Sequence, residues 1–235
     1  MQVTHDLGVG GLPRVVVTLA KNIDRARFDV SVLALNEAGP LADELEQAGI
    51  DVHLLGNGTT RPGYFAFRDA ARVFEKHRID VVHTHNTQPF IDGGLGAWKA
   101  GVKTLVHTDH ARDFPDKRRY MFAEWVLSHL TYRVVGVSDD TSRKLTTYER
   151  IDPDRIVTIP NGIEDGPFQQ PLDRRAKLAE LGVEPEDRLI GVGVRFTEQK
   201  GLEYLLEAMP DVLERVPRTK LLIGGYGPLE QELRA

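Results

Sequence analysis

Four short segments carry side chains suited to act on a ligand. In "RFTEQKG" the basic residues are Arg195 and Lys200, set between an apolar run, "RLIGVGV", and a helical one, "LEYLLEAMPDVLERV". A forked guanidinium and a point-charge ammonium beside a helix start suit a diphosphate. Surface pairing with Glu198 or Glu203 is the alternative. In "HDLGVGGLPR", Gly8, Gly10 and Gly11 let the backbone approach an anion at a helix N-terminus. The same glycines also fit a tight turn that needs positive φ. In "HTHN", His83 and His85 alternate and so share one face of a strand, with Asn86 following. "HTDHARDFPDKRR" supplies His107, Asp109, His110 and Arg112. His110 lies past the strand, in the loop, where cleft groups are normally found. His83 and His107 read as packed or hydrogen-bonded strand-end residues. Pooling the histidines into a zinc site is disfavoured. H-x-H and H-x-x-H at strand ends lack the helical spacing of H-E-x-x-H, no cysteine supports them, and no metal is expected.

One further cluster stands out. Lys117, Arg118 and Arg119 fall near the start of a helix, where cations oppose the macrodipole; Asp113 and Asp116 offset part of this. Tyr120, Met121, Phe122 and Trp125 follow. A basic cluster beside aromatics suits an anionic membrane or a phosphorylated acceptor. The alternative is a solvated basic end on a helix whose apolar face is core.

The elements that must position these groups alternate strand and helix from the first residues. "QVTH", "FDVSVLAL", "DVHLL", "DVVHTH", "KTLVHT", "YRVVGVS" and "RIVTIPNGI" read as strands, separated by helical runs such as "PRVVVTLAKNI" and "FRDAARVFEKHRI". Such alternation implies right-handed βαβ units and a mostly parallel sheet. Residues 1–159 are expected to form one Rossmann-like doubly wound domain. "PNGIEDGPFQQPLD", residues 160–173, is rich in proline and glycine and reads as a linker. Residues 174–235 restart the alternation and read as the first part of a second Rossmann-like domain. Two strands do not complete such a domain, so the second is expected to be incomplete. "QVTH" is short for a central strand, and the first domain too reads as clipped.

The chain has 235 residues, 41% of them apolar and 28% charged, with a net charge of −5. That length accommodates one large α/β domain or one domain plus part of another. The acidic balance argues against nucleic acid as a partner. There are no cysteines, which excludes disulfides, thiolate metal sites and a cysteine nucleophile and fits a reducing cytosol. No apolar run approaches the ~18 residues of a spanning helix. The N-terminus lacks the basic start and apolar stretch of a signal peptide. A nucleotide-dependent oxidoreductase is disfavoured because Pro13 replaces the third glycine of G-x-G-x-x-G, and a hydrolase because no G-x-S-x-G elbow occurs.

Taken in order, "HDLGVGGLPRVVVTLA", "HTDHARD", "VGVS", "IPNGI", "RFTEQKGLEYLLEAM" and "GGYGPLEQEL" resemble retaining glycosyltransferases of the GT4 type, with the two-domain GT-B fold. The resemblance implies an N-terminal domain for the acceptor and a C-terminal domain for a nucleotide-sugar donor, a UDP- or GDP-sugar, with no other cofactor. It implies that Arg195 and Lys200 contact the donor diphosphate, and that Gly10 and Gly11 close on it from the other domain. It places His110 near the transferred sugar and the Gly225–Gly227 turn at the donor. It implies metal-free chemistry, in which fixed cations stabilise the leaving diphosphate. Retention is expected by front-face attack, the leaving phosphate taking the acceptor's proton, which fits the lack of a glycosidase-type carboxylate pair. The acceptor is expected to be a glycan or lipid-linked, and the location cytoplasmic, with peripheral contact on the inner membrane face through Lys117, Arg118 and Arg119. Two departures stand. Val194 occupies the place where the family usually has glycine before the arginine. The family's E-x7-E motif, which lies downstream of the G-x-G-P turn, is absent: Glu207 and Glu214 are similarly spaced but sit on the helix after Lys200. The 235 residues alone are therefore expected to be inactive. A non-catalytic truncated relative that acts as a binding or regulatory partner is the alternative.

Overall fold

The computed structural model describes residues 1–55, 66–110, 114–169 and 171–234. Its backbone contacts divide into two units, residues 1–164 and 165–235. The first holds a seven-stranded parallel sheet in the order β3-β2-β1-β4-β5-β6-β7. The strands are β1 (Gln2–Asp6), β2 (Ser31–Glu37), β3 (Asp51–Leu54), β4 (Val81–His85), β5 (Thr104–Asp109), β6 (Arg133–Gly136) and β7 (Ile156–Thr158). The interleaved helices are α1 (Gly11–Asn22), α2 (Pro40–Gln47), α3 (Ala66–Lys76), α4 (Thr87–Lys99), α5 (Arg118–Ser128) and α6 (Asp139–Tyr148). Chain order runs outward from β1 to β3, then returns and runs outward again from β4 to β7. The direction of winding therefore reverses between β1 and β4, where doubly wound sheets open a crevice at their carboxyl ends.

Alternation along β2 shows why these apolar runs become central strands. Val32 and Ala34 pack with Val16, Val17 and Ala20 of α1 and with Leu41 and Leu45 of α2. Leu33 and Leu35 point the other way, into a second cluster with Val3, Phe74 of α3, Val82, Phe90 of α4 and Leu105. A strand buried on both faces has no polar side to show, hence the continuous run "SVLAL". The helical stretch "GGLGAWKAG" owes its glycines to close packing. A Cβ at Gly96 would lie 2.9 Å from the Phe67 carbonyl oxygen and 3.0 Å from Ala70 Cβ on α3. β7 is shorter than the "RIVTIPNGI" reading, because Pro160 has no N–H to continue the ladder after Ile159 donates to Gly136.

α5 fits the reading of a helix whose apolar face is core only in part: Leu127 is buried in the second cluster. Glu124 and Ser128 are its buried polar residues, whereas Phe122, Trp125 and Val126 are 64%, 38% and 42% exposed.

The 160–173 segment contains a short helix, α7 (Gly166–Gln169), and ends at Asp173, whose carboxylate accepts from Ala176 N–H to cap α8 (Arg174–Glu180). The second unit has two parallel strands, β8 (Arg188–Gly193) and β9 (Thr219–Gly224), with α9 (Leu202–Arg215) between them and α10 (Glu230–Leu233) after them. No helix among the described residues is long and apolar enough to cross a membrane.

Candidate functional site

Three of the segments singled out by residue type end side by side at the carboxyl edge of the large sheet. Gly8–Gly11 follows β1, Asn86 follows β4 and His110 follows β5, with β4 lying between the other two. Two strand spacings put the glycine loop and His110 about 10 Å apart. Leu7 is buried, and Asp6 Oδ1 accepts from Gly8 N–H at 2.9 Å, which ties down the start of the loop. Gly10 then caps α1 in a fully extended conformation (φ 178°), with no side-chain cap and no acidic residue in the first turn of the helix. The tight turn in the left-handed region is not what forms: none of Gly8, Gly10 and Gly11 lies there. A Cβ at Gly11 would meet nothing within 4 Å. Neither backbone conformation nor packing among the described residues therefore calls for glycine at position 11. A helix start with no acid of its own favours an anion.

The histidines divide between the two sheet faces. His83 and His85 alternate on β4 and touch, with ring centroids 4.3 Å apart. His83 Nε2 is 2.7 Å from Thr108 Oγ1 on the adjacent strand. His85 is fully buried; its Nδ1 lies 3.1 Å from His110 Nε2 and its Nε2 lies 2.8 Å from Gln2 Oε1. Asn86, held at φ 63°, accepts the His110 backbone N–H at 2.8 Å through Oδ1 and so fixes the residue after β5 against the residue after β4. His107 faces the opposite side, stacked on Phe90 at 3.8 Å and 3.0 Å from Thr84 Oγ1. A site pooling all four histidines is therefore ruled out by register, and the hydrogen-bonded, packed reading of His83 and His107 describes them. Among the described residues the potential metal-ligand group is instead His107, Asp109 and Glu124, all buried; each of the three has further interactions within the chain. Arg112 and Asp113 lie outside the described residues.

Burial sets the charge state of this cluster. It pushes His110 down to about 4 and His83 to about 4, the neighbouring His110 adding to the effect on His83. Burial, with His83 and His110 close by, holds His85 well below the ordinary imidazole range. All three rings are neutral near pH 7. A neutral imidazole has one N–H donor and one bare acceptor nitrogen, so the cluster offers directional hydrogen bonds rather than charge.

Positive charge sits in the second unit. β8 ends at Gly193, and Val194–Phe196 runs beneath the Gly225–Gly227 turn. Val194 N–H donates to the Gly224 carbonyl at 3.0 Å and Phe196 N–H to the Tyr226 carbonyl at 2.9 Å. A Cβ at Gly225 (φ 153°) would fall 1.9 Å from the Val194 oxygen, and one at Gly227 would fall 2.4 Å from the Phe196 oxygen. The two glycines are required by this packing, which fixes the segment carrying Arg195. Lys200 ends a 3-10 turn, Glu198–Lys200, and Gly201 (φ 59°) turns the chain directly into α9. Arg195 and Lys200 are both exposed, and Lys200 makes no ion pair with Glu198 or Glu203. The structure thus gathers the glycine loop, Asn86 and His110 on one unit, and Arg195, Lys200, Gly225 and Gly227 on the other.

Gln2 was not singled out by sequence reasoning. A glutamine inside an apolar strand is its one visible signal: it is 5% exposed.

A family model described as Glycosyltransferase Family 4 matches residues 9–166. The chain belongs to that family. An Escherichia coli UDP-Gal:alpha-D-GlcNAc-diphosphoundecaprenol alpha-1,3-galactosyltransferase is 26% identical over 96% of the chain and 61% of its own length. An uncharacterized glycosyltransferase from Methanocaldococcus jannaschii is 30% identical over 96% of the chain and 61% of its own. Among solved structures, Anabaena HepE in complex with UDP and glucose superposes with a TM-score of 0.74 at 18% identity, covering 98% of this chain and 62% of that one. The fold of this Family 4 chain is thus that of a GT-B glycosyltransferase, with an α/β first unit and a small second parallel sheet. It spans about three fifths of these two curated relatives' length.

Proposed function

We propose that this Family 4 chain is part of a retaining glycosyltransferase that moves a sugar from a nucleotide-sugar donor, a UDP- or GDP-sugar, to a glycan or lipid-linked acceptor. The observation that carries the reading is the carboxyl edge of the large sheet. There an anion-ready glycine loop and a neutral histidine cluster meet at the point where the winding reverses. The acceptor's hydroxyl oxygen forms a bond to the anomeric carbon on the face from which the phosphate oxygen leaves, and the hydroxyl proton passes to the departing diphosphate. Arg195 and Lys200 stabilise the charge that grows on that diphosphate without a metal, because fixed cations cost no reorganisation as charge develops. The α1 N-terminus behind Gly10 and Gly11 acts on the same charge, and His110 binds the sugar. Gly225 and Gly227 shape the donor loop.

For a lipid-linked acceptor, the exposed start of α5 is the membrane-facing element. Lys117, Arg118 and Arg119 would meet anionic headgroups and Phe122 and Trp125 the interface, on the cytoplasmic side. Support comes from their exposure and from the resemblance to an enzyme named for a GlcNAc-diphosphoundecaprenol.

Transfer is tested on the whole gene product, by release of nucleoside diphosphate from UDP-, GDP- and ADP-sugars. Turnover with one of the UDP- or GDP-sugars is expected, and no turnover with any of them overturns the reading. On the chain itself, Lys200→Ala should weaken UDP or GDP binding roughly tenfold, and Arg195→Ala somewhat more, as for loss of a charge-assisted hydrogen bond. Unchanged calorimetric affinity in both variants would remove the diphosphate from these residues.

A further inference from the structure

The histidine cluster contains more order than sugar contact requires. Gln2 has one acceptor atom in its side chain, Oε1, and that atom sits 2.8 Å from His85 Nε2. An acceptor there needs the hydrogen on Nε2. His85 is neutral and carries a single N–H, so its Nδ1 is bare. That bare nitrogen lies 3.1 Å from His110 Nε2, and a hydrogen bond between two nitrogens needs one hydrogen, which His110 must provide. His110 then has its hydrogen on Nε2 and a lone pair on Nδ1. Among the described residues Nδ1 has no hydrogen-bond partner, and the His110 backbone is held in place separately by Asn86.

We propose that Gln2 and His85 are positioning residues, which act in series to hold His110 in the one tautomer whose Nδ1 accepts a hydrogen bond from a hydroxyl of the transferred sugar. The sugar half of this statement rests on the proposed function; the tautomer half does not. The direction of the relay is set at its far end, by an amide oxygen on β1 that stands clear of the loop that would touch substrate. Two consequences follow. The site selects a donor sugar with a hydroxyl facing His110, because a deoxy or O-methyl sugar there leaves the acceptor unpaired. And His110 supplies an acceptor, so it takes no part in holding the diphosphate.

Long-range proton–nitrogen NMR of the histidine rings tests the relay on the ligand-free chain. Wild type should show His110 and His85 each with the hydrogen on Nε2 and a bare Nδ1. Gln2→Met, similar in length but with no amide, should relax the selection, so that His110 populates both tautomers. A hydrogen on Nδ1 of His110 in wild type overturns the proposal, as does a His110 tautomer unmoved by Gln2→Met in a folded variant. If Gln2→Met does not fold, the wild-type spectrum decides alone. On the whole gene product, Gln2→Met should lower kcat/KM for sugar transfer by roughly threefold to tenfold, the worth of one hydrogen bond, with nucleoside diphosphate affinity unchanged. Loss of diphosphate affinity along with transfer would mean a merely structural role and would overturn it. A correct tautomer in a protein that turns over no nucleotide sugar would instead remove the function proposed above and leave the relay standing.

Discussion

His110 is 6% exposed and carries an imidazole held down to about 4 against an ordinary 6.5. In the unfolded chain that ring takes a proton below about pH 6.5; in the folded chain it resists until about 4. The unfolded state therefore binds more protons throughout that window, and stability falls as pH falls through it. At pH 5 the effect for His110 alone is of order 2 kcal/mol, with His83 and His85 acting in the same direction. Urea melts at pH 7 and pH 5 measure it, and His110→Asn should show a smaller drop than wild type. An equal drop in both would mean that the ring titrates normally. At this scale the sequence was half legible. Arg195, Lys200 and His110, the residues proposed to act on the donor, stand out by type and by position in the segments that follow strands. Gln2 does not, because its role depends on a contact with a residue on the neighbouring strand, 83 positions away. Nor does the sequence show that Gly225 and Gly227 are demanded by packing against 194–196 while Gly11 is not. The three look alike as letters and differ only in what a Cβ would touch.

Elements were more legible than contacts, because burial on two faces and helical spacing are local patterns. Every strand of the large sheet was visible as an apolar run, whereas their order was not, because right-handed crossovers are compatible with more than one order and only the structure places β4 beside β1. α5 is the exception, and its reason is physical. Glu124 and Ser128, four apart, share the inward face with Leu127, and Phe122 and Trp125 lie outward, so the two faces do not divide by polarity. Periodicity alone does not say which face is inside. An outward Phe122 and Trp125 next to Lys117, Arg118 and Arg119 leads to an element-scale prediction. The protein should co-sediment with vesicles containing phosphatidylglycerol and much less with pure phosphatidylcholine, and binding should weaken with salt. Phe122→Ser with Trp125→Ser should reduce it several-fold in a variant that still melts cooperatively, Trp125 being only 38% exposed and in ring contact with His129. Equal sedimentation of the double variant and wild type would place the membrane contact elsewhere or remove it.

At the scale of the whole molecule the two units differ in how much holds them together. The three core clusters of the first unit are drawn entirely from residues at or before Ile156, and its sheet ends at Thr158. The second unit has a two-stranded sheet, and among the described residues its buried apolar ones are Val183, Phe196 and Leu202, while Leu189, Tyr204 and Leu213 are 38%, 71% and 40% exposed. Two strands with one-sided cover are marginal in water, whereas strands covered on both faces open only with global unfolding. Hydrogen exchange at neutral pH should separate them. Amides of 82–85 on β4 and 105–108 on β5 should outlast those of 189–193 on β8 and 220–223 on β9 by roughly tenfold or more. Limited proteolysis should cut first within 161–173, where residues 161–166 are exposed and outside any strand, and leave a fragment from Met1 that still melts cooperatively. That fragment keeps the glycine loop, Asn86, His85, Gln2 and His110, so its histidine ring spectrum should match the intact chain. It loses Arg195 and Lys200, so its affinity for UDP or GDP should fall below detection. Nucleotide binding by the fragment at undiminished affinity would move the diphosphate site onto the first unit and leave the two cations without the role assigned to them.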